Sequence, residues 1–217
     1  SAYSRRIVLG KCRPRPVGAR TPRWSTTGDD RMAHSVELLL DDACDQHIRQ
    51  QWAALGDAGL PSAADIRSAT NRPHITAIAA TRISPEIDAA LGTVAMRLPI
   101  RVTLGDVVVF GRGARRVLAR LIVPSSELLS VHASIVRAGA VHTADRHGQE
   151  SLFAHTRPGS WTAHITVARR IGLDEIGRAL ETLDSVHSAD TDSATITAVR
   201  RWDGDAKVDH VIAGRSC

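Results

Sequence analysis

A six-residue pattern occurs twice in this chain and constrains its fold more than any other feature. Pro73-His74-Ile75-Thr76-Ala77-Ile78 returns ninety residues later as Ala163-His164-Ile165-Thr166-Val167-Ala168. Each copy lies in a segment with strand-like alternation, and a helical pattern follows each after a short turn. The expectation is two half-domains of one plan, facing each other about a pseudo-twofold axis. On a strand, residues i and i+2 share a face. His74 and Thr76 then point one way while Ile75 points into a core, and His164, Thr166 and Ile165 do the same. Facing halves would gather two imidazoles and two hydroxyls in one cleft.

That set of groups suits phosphodiester chemistry. One imidazole can take a proton from attacking water, and the other can give one to the leaving oxygen. Free histidine titrates near roughly 6.5, so both protonation states are accessible at neutral pH. The threonine hydroxyls can donate to non-bridging phosphate oxygens, whose charge needs fixed donors in the transition state. A lone His-x-Thr on a strand is more often structural. The case for catalysis rests on two copies in matching contexts.

The rest of the body fits a frame of strands with interspersed helices. Strands are expected over 34–41, 73–79, 100–110, 116–123, 161–169, 194–202 and 208–212. Helices are expected over 43–58, 84–97 with Ser84 as cap, 125–137 and 173–183. Gly111-Arg112-Gly113 and Asp203-Gly204-Asp205 read as strand-to-strand turns, and the polar stretch 142–158 as a loop over a site. Recurrent hairpins without a glycine-rich strand-to-helix loop indicate α+β with largely antiparallel sheets, not a doubly wound parallel sheet.

The two His-x-Thr strands, in a body of about 186 residues, resemble those of the two-histidine (2H) phosphoesterases. That group includes the 2′-5′ RNA ligase-like proteins, also called RNA 2′,3′-cyclic phosphodiesterases. The resemblance runs from Met32 to Gly214. It implies a bilobal α+β fold, two antiparallel sheets lining a central cleft, and metal-independent action on cyclic phosphates or 2′-5′ linkages. Carried over by position, His74 and His164 form the acid–base pair, and Thr76 and Thr166 bind phosphate. The chain departs from the pattern after the tripeptides. Many members continue with Leu and an aromatic, whereas here Ala77-Ile78-Ala79 and Val167-Ala168-Arg169 follow.

Other residues carry weaker readings. Arg72 precedes the first motif and is a candidate phosphate ligand at the cleft rim. Arg169 and Arg170 follow the second, but Arg169 is at an odd offset from His164 and is expected to face away. Trp161 and Phe153 could stack a base, although core packing is the favoured reading, and Trp202 is expected in the core too. His142, His147 and His155 match no metal-ligand spacing, and His132 belongs on a structural helix face. No cofactor or metal is expected.

The whole chain carries a formal +5 and a sequence pI near 9.8, which invites a nucleic-acid-binding reading. The charge, however, is concentrated. Residues 1–31 hold eight basic and two acidic residues, while the remaining 186 hold 20 basic and 21 acidic. The expected division is a disordered basic extension over 1–31, foreign to the native fold, and one bilobal domain over 32–214. An Arg-rich transit peptide and a basic RNA-binding arm are the two other readings of the extension. Three scattered cysteines form neither a disulfide framework nor a zinc knuckle, which points to a cytoplasmic protein. No apolar run approaches the roughly 18 residues of a membrane span.

The expected function is hydrolysis of 2′,3′-cyclic phosphate ends of RNA or nucleotides by a monomer, with 2′-5′ ligation as the weak reverse. The alternatives are a phosphodiesterase of the same fold acting on another cyclic or 2′-5′ phosphoester, and a non-catalytic RNA-binding module.

Overall fold

The computed structural model describes residues 33–144, 147–188 and 192–214. The expected extension over 1–31 lies outside them. Seven strands and four α-helices make up the α+β body: β1 (His34–Leu40), α1 (Asp42–Asp57), β2 (Ile75–Ala80), α2 (Ile87–Ala95), β3 (Ile100–Phe110), β4 (Arg115–Ile122), α3 (Ser126–Gly139), β5 (His164–Gly172), α4 (Ile176–Ser185), β6 (Ser193–Asp203) and β7 (Val208–Ala213).

Local chemistry explains several boundaries. Asp41 caps α1 through a 2.9 Å bond from the Cys44 amide, and Ser125 caps α3 through one of 3.1 Å from the Leu128 amide. Ser84 does not cap α2: Ser84–Glu86 form a turn whose carbonyls take the Ile87 and Asp88 amides, and the helix proper begins at Ile87. Gly111 and Gly113, both at positive φ, turn β3 into β4.

Every strand pairing is antiparallel. The strands join into one seven-stranded sheet in the order β1-β2-β5-β4-β3-β6-β7, and β1 also pairs with β6. In place of the two sheets expected from the sequence there is one, joined by four paired positions between β3 and β6 and narrowly between β2 and β5, where Ile75 opposite Ile165 is the paired position. Each half presents one member of the repeat at this seam.

Helices cover one face. α1 packs on α4 and reaches β5 and β6, while α3 packs on α2 and β2. Beneath them lies a continuous apolar core that includes Ile48, Leu55, Ile75, Ile78, Leu118, Ile135 and Ile165. Burial on this scale, at about 25 cal/mol per Å² of apolar surface, is what holds the sheet and helices together. The other face of β2 and β5 is left to line a cavity.

Candidate active site

The two tripeptides are built alike. In β2 the ladder shifts between Thr76 and Ile78, opposite Glu37 and Val36 of β1. In β5 it shifts between Thr166 and Ala168, opposite Ala119 and Leu118 of β4. The extra residues are Ala77 and Val167, one in each motif. Each bulge places two successive residues on the core side, Ala77 with Ile78 and Val167 with Ala168, all fully buried.

Ahead of the bulges, His74, Thr76, His164 and Thr166 all line one cavity of about 430 Å³, within the usual range for a small-molecule site. The expected convergence of the four side chains is what the structure contains. His74 Nδ1 is 2.7 Å from the Arg72 carbonyl, and His164 Nδ1 is 2.7 Å from the Thr162 carbonyl. A carbonyl only accepts, so each Nδ1 carries a proton and each Nε2 is the atom left for chemistry.

Two indoles fix the bulges. Trp161 Nε1 donates to the Thr76 carbonyl at 2.8 Å, and Trp52 Nε1 donates to the Thr166 carbonyl at 3.0 Å. Trp161 also lines the cavity and stacks on buried His132 at 3.8 Å between ring centroids, with the planes 4° apart. His132 Nε2 contacts the Ala77 and Thr156 carbonyls at 3.2 and 3.0 Å. Phe153 and Trp202 are half-buried and line the cavity, so Trp202 is at the cavity wall and not in the core as expected, while Trp161 both lines the cavity and packs on the core.

The electrostatics of the two halves differ. Glu37 Oε1 lies 3.5 Å from His74 Nε2. The same carboxylate accepts a 2.6 Å bond from Ser35 Oγ and 2.7 Å contacts from Arg200. Burial alone would push Glu37 up, but His74, Arg200 and Ser35 together hold it below the usual carboxylate value. Among the described residues no carboxylate is paired with His164; the Phe110 ring lies 4.7 Å from it, centroid to centroid. Burial pushes His164 down from the ordinary histidine value, Arg169, His155 and His74 add to this, and the Thr162 bond opposes it.

Arg169 corrects an expectation. Its odd offset from His164 should have turned it away, but the Val167 bulge reverses the alternation and brings Arg169 to the cavity wall, opposite Val117. Arg72 is placed differently from a rim ligand. Its guanidinium lies 3.2 Å from Asp45, and it serves the site through the carbonyl that holds His74. The 142–158 stretch contributes Phe153, His155 and Thr156 to the wall. Glu37, Ser35 and Arg200 were not singled out from the sequence. The signal was there: a Glu and an Arg inside otherwise apolar strands need buried partners.

Among the described residues, one group has the donor atoms to hold a cation: His34, Asp203 and Asp205, with ligand-type atoms within 4.8 Å of one another. His34 Nδ1 is 3.7 Å from Asp203 and Nε2 is 3.3 Å from Asp205. No described helix is long and apolar enough to cross a membrane.

A His-x-Thr lies on each of two neighbouring antiparallel strands, and both histidines line one cavity, the arrangement expected of a two-histidine phosphoesterase. The 2′-5′ RNA ligase superfamily model matches residues 42–206, and the chain belongs to that superfamily. Among solved structures, the chain is similar to Escherichia coli LigT in its apo form, with 16% identity, 85% of this chain and 95% of LigT covered, and a TM-score of 0.50. It is also similar to Kluyveromyces marxianus Usb1, with 13% identity, coverage of 84% and 98%, and a TM-score of 0.43. No curated protein matches the chain by sequence.

Proposed function

We propose that this protein hydrolyses 2′,3′-cyclic phosphate ends of RNA or nucleotides to phosphomonoesters, using only groups of its own chain. The observation that carries the reading is the pair of Nε2 atoms, each oriented by a backbone carbonyl and each two residues from a threonine at the same cavity wall. In this reading residues 32–214 act as one monomeric catalytic unit inside the cell. The halves carrying β2 and β5 serve as two lobes about the phosphate.

Water attacks phosphorus in line with the ribose oxygen that leaves. One imidazole removes the water proton and the other protonates the leaving oxygen. Thr76 and Thr166 donate to the non-bridging oxygens, and Arg169 adds a fixed positive charge beside them. The aromatic wall of Phe110, Phe153, Trp161 and Trp202 gives a base or ribose an apolar surface. Superfamily membership and the LigT-like fold support this class of chemistry.

The test is a substrate panel run in EDTA: 2′,3′-cyclic nucleotides, a 3′,5′-cyclic nucleotide, a 2′-5′-linked dinucleotide and an RNA with a cyclic end. Turnover of the 2′,3′-cyclic compounds to a single phosphomonoester is expected. Turnover of the others alone, or an absolute need for added metal, would overturn the reading.

A further inference from the structure

No metal-ligand spacing is visible along the chain, yet the fold sets one buried imidazole against two carboxylates from a distant turn. His34 opens β1. Asp203 closes β6, and Asp205 lies two residues on, in the turn to β7. β1 and β6 pair with Ser35 opposite Trp202, so the same register puts His34 opposite Asp203. One ligand-type atom from each of the three residues lies within 4.8 Å of the other two.

The second observation is His34 itself. It is 3% exposed. Both ring nitrogens are shielded from solvent, and among the described residues neither has a hydrogen-bond partner. The approaches to Asp205 at 3.3 Å and Asp203 at 3.7 Å are close without hydrogen-bond geometry. A buried polar atom left without a partner is costly and uncommon. Here an imidazole aimed at two carboxylates forms a set of donors with no acceptor for their lone pairs. A divalent cation completes it, taking one imidazole nitrogen and one oxygen from each carboxylate.

We propose that His34, Asp203 and Asp205 bind one divalent transition-metal cation of the zinc type. One nitrogen and two carboxylate oxygens suit such an ion, whereas magnesium and calcium prefer oxygen alone. Ligand atoms about 2.0–2.2 Å from a tetrahedral zinc stand roughly 3.3–3.6 Å apart, with water in the fourth position. The His34–Asp205 separation already matches. Asp205, with its side chain 82% exposed, can swing to close the set and leaves a way in from solvent. The turn holds the other carboxylate in place. Asp203 Oδ1 accepts the Asp205 and Ala206 amides at 3.0 Å each, and the Asp203 carbonyl accepts the Lys207 amide at 2.8 Å. Arg201, the nearest cation along β6, is engaged by Asp88 at 2.8 and 2.9 Å.

The cation clasps the first residue of β1 to the β6–β7 turn. Trp202 precedes Asp203, and both Trp202 and His34 line the active-site cavity. The clasp therefore steadies one cavity wall. Its role is structural, because none of its three ligands is a group used in the proposed hydrolysis. The inference does not depend on that reading, and its test uses no substrate.

The experiment treats the full chain with EDTA, removes the chelator by dialysis and titrates with zinc ion by calorimetry. Binding of one zinc per chain is expected, with a melting midpoint that rises with zinc concentration, as for any ligand of the folded state alone. Asp205→Asn should weaken binding by at least about tenfold, since even a group that only supports a metal ligand is worth that much. Asp205 is exposed, so this variant should melt like wild type in the absence of zinc. His34→Gln should weaken binding likewise. X-ray absorption of the zinc-loaded wild type should show nitrogen and oxygen neighbours, including one imidazole. No binding, unchanged affinity in Asp205→Asn, or sulfur next to the zinc overturns the proposal, the last because a cysteine would then hold the metal.

Discussion

At the scale of single residues, much of the site is held by polar atoms that have one available partner each. The Thr76 and Thr166 carbonyls meet the Trp161 and Trp52 indoles. Trp52→Phe and Trp161→Phe each keep the ring and delete the donor, which should cost ~1–2 kcal/mol of stability. Urea melts of the variants check this, and kcat should fall along with the midpoint. Buried histidines set a second expectation. Burial pushes His132 and His164 down, and also His47 and His155. The unfolded chain takes up protons near roughly 6.5 that the folded chain refuses, so this contribution is intact above that pH and is lost as pH falls through it. Melts at pH 7.5 and 5.5 should show the lower midpoint at 5.5. The depressed carboxyl of Glu37 acts in a separate, more acidic window, because its contribution disappears only as it becomes protonated.

At the scale of elements, the bulges decide which side chains reach the chemistry. Val167 reverses the alternation of β5 and delivers Arg169 to the cavity. Arg169→Met, which keeps much of the stem and removes the charge, should lower kcat/KM by roughly 10²-fold, the size found for losing one preorganised donor to a developing oxyanion. Its melting midpoint should change little, because Arg169 is exposed. Packing between elements is tight where α3 meets β2 and α2: a Cβ on Gly139 would lie 2.8 Å from Ile78 Cδ1 and 3.0 Å from Ile87 Cδ1. Gly139→Ala should therefore destabilise by ~1–3 kcal/mol, read as a lower denaturant midpoint with kcat retained.

These elements also show what could be read beforehand. The seven strands and four helices were visible as periodicity, and the His-x-Thr pairs were visible as a repeat. The face of Arg169 was misread because strict alternation was assumed. The adjacent apolar pairs Ala77-Ile78 and Val167-Ala168 are the local sign of the bulges. Glu37 and Arg200 are visible locally only as charges within strands; that they partner each other across 163 positions is what no local pattern encodes. The halves join into one sheet through four paired positions between β3 and β6 and one between β2 and β5, Ile75 opposite Ile165, contacts between distant strands that no local pattern announces.

At the scale of the whole molecule, charge and chemistry are separate. The excess positive charge lies in residues 1–31, while the remaining 186 residues are near neutral. Recognition by the body then depends on a few placed groups, and removing residues 1–31 should leave kcat/KM on a cyclic nucleotide within about twofold of the full chain. A non-catalytic RNA-binding module would instead lose its affinity on that truncation and show a steep salt slope. The central claim is that His74 and His164 act together on one phosphate. Its most direct measurement is kcat/KM on a 2′,3′-cyclic nucleotide in EDTA for wild type, His74→Ala, His164→Ala and the double variant. Each single change should cost roughly 10²–10⁴-fold, and the double change should cost much less than the product of the two, as for residues that act as a unit. Near-wild-type turnover in either single variant would contradict the account.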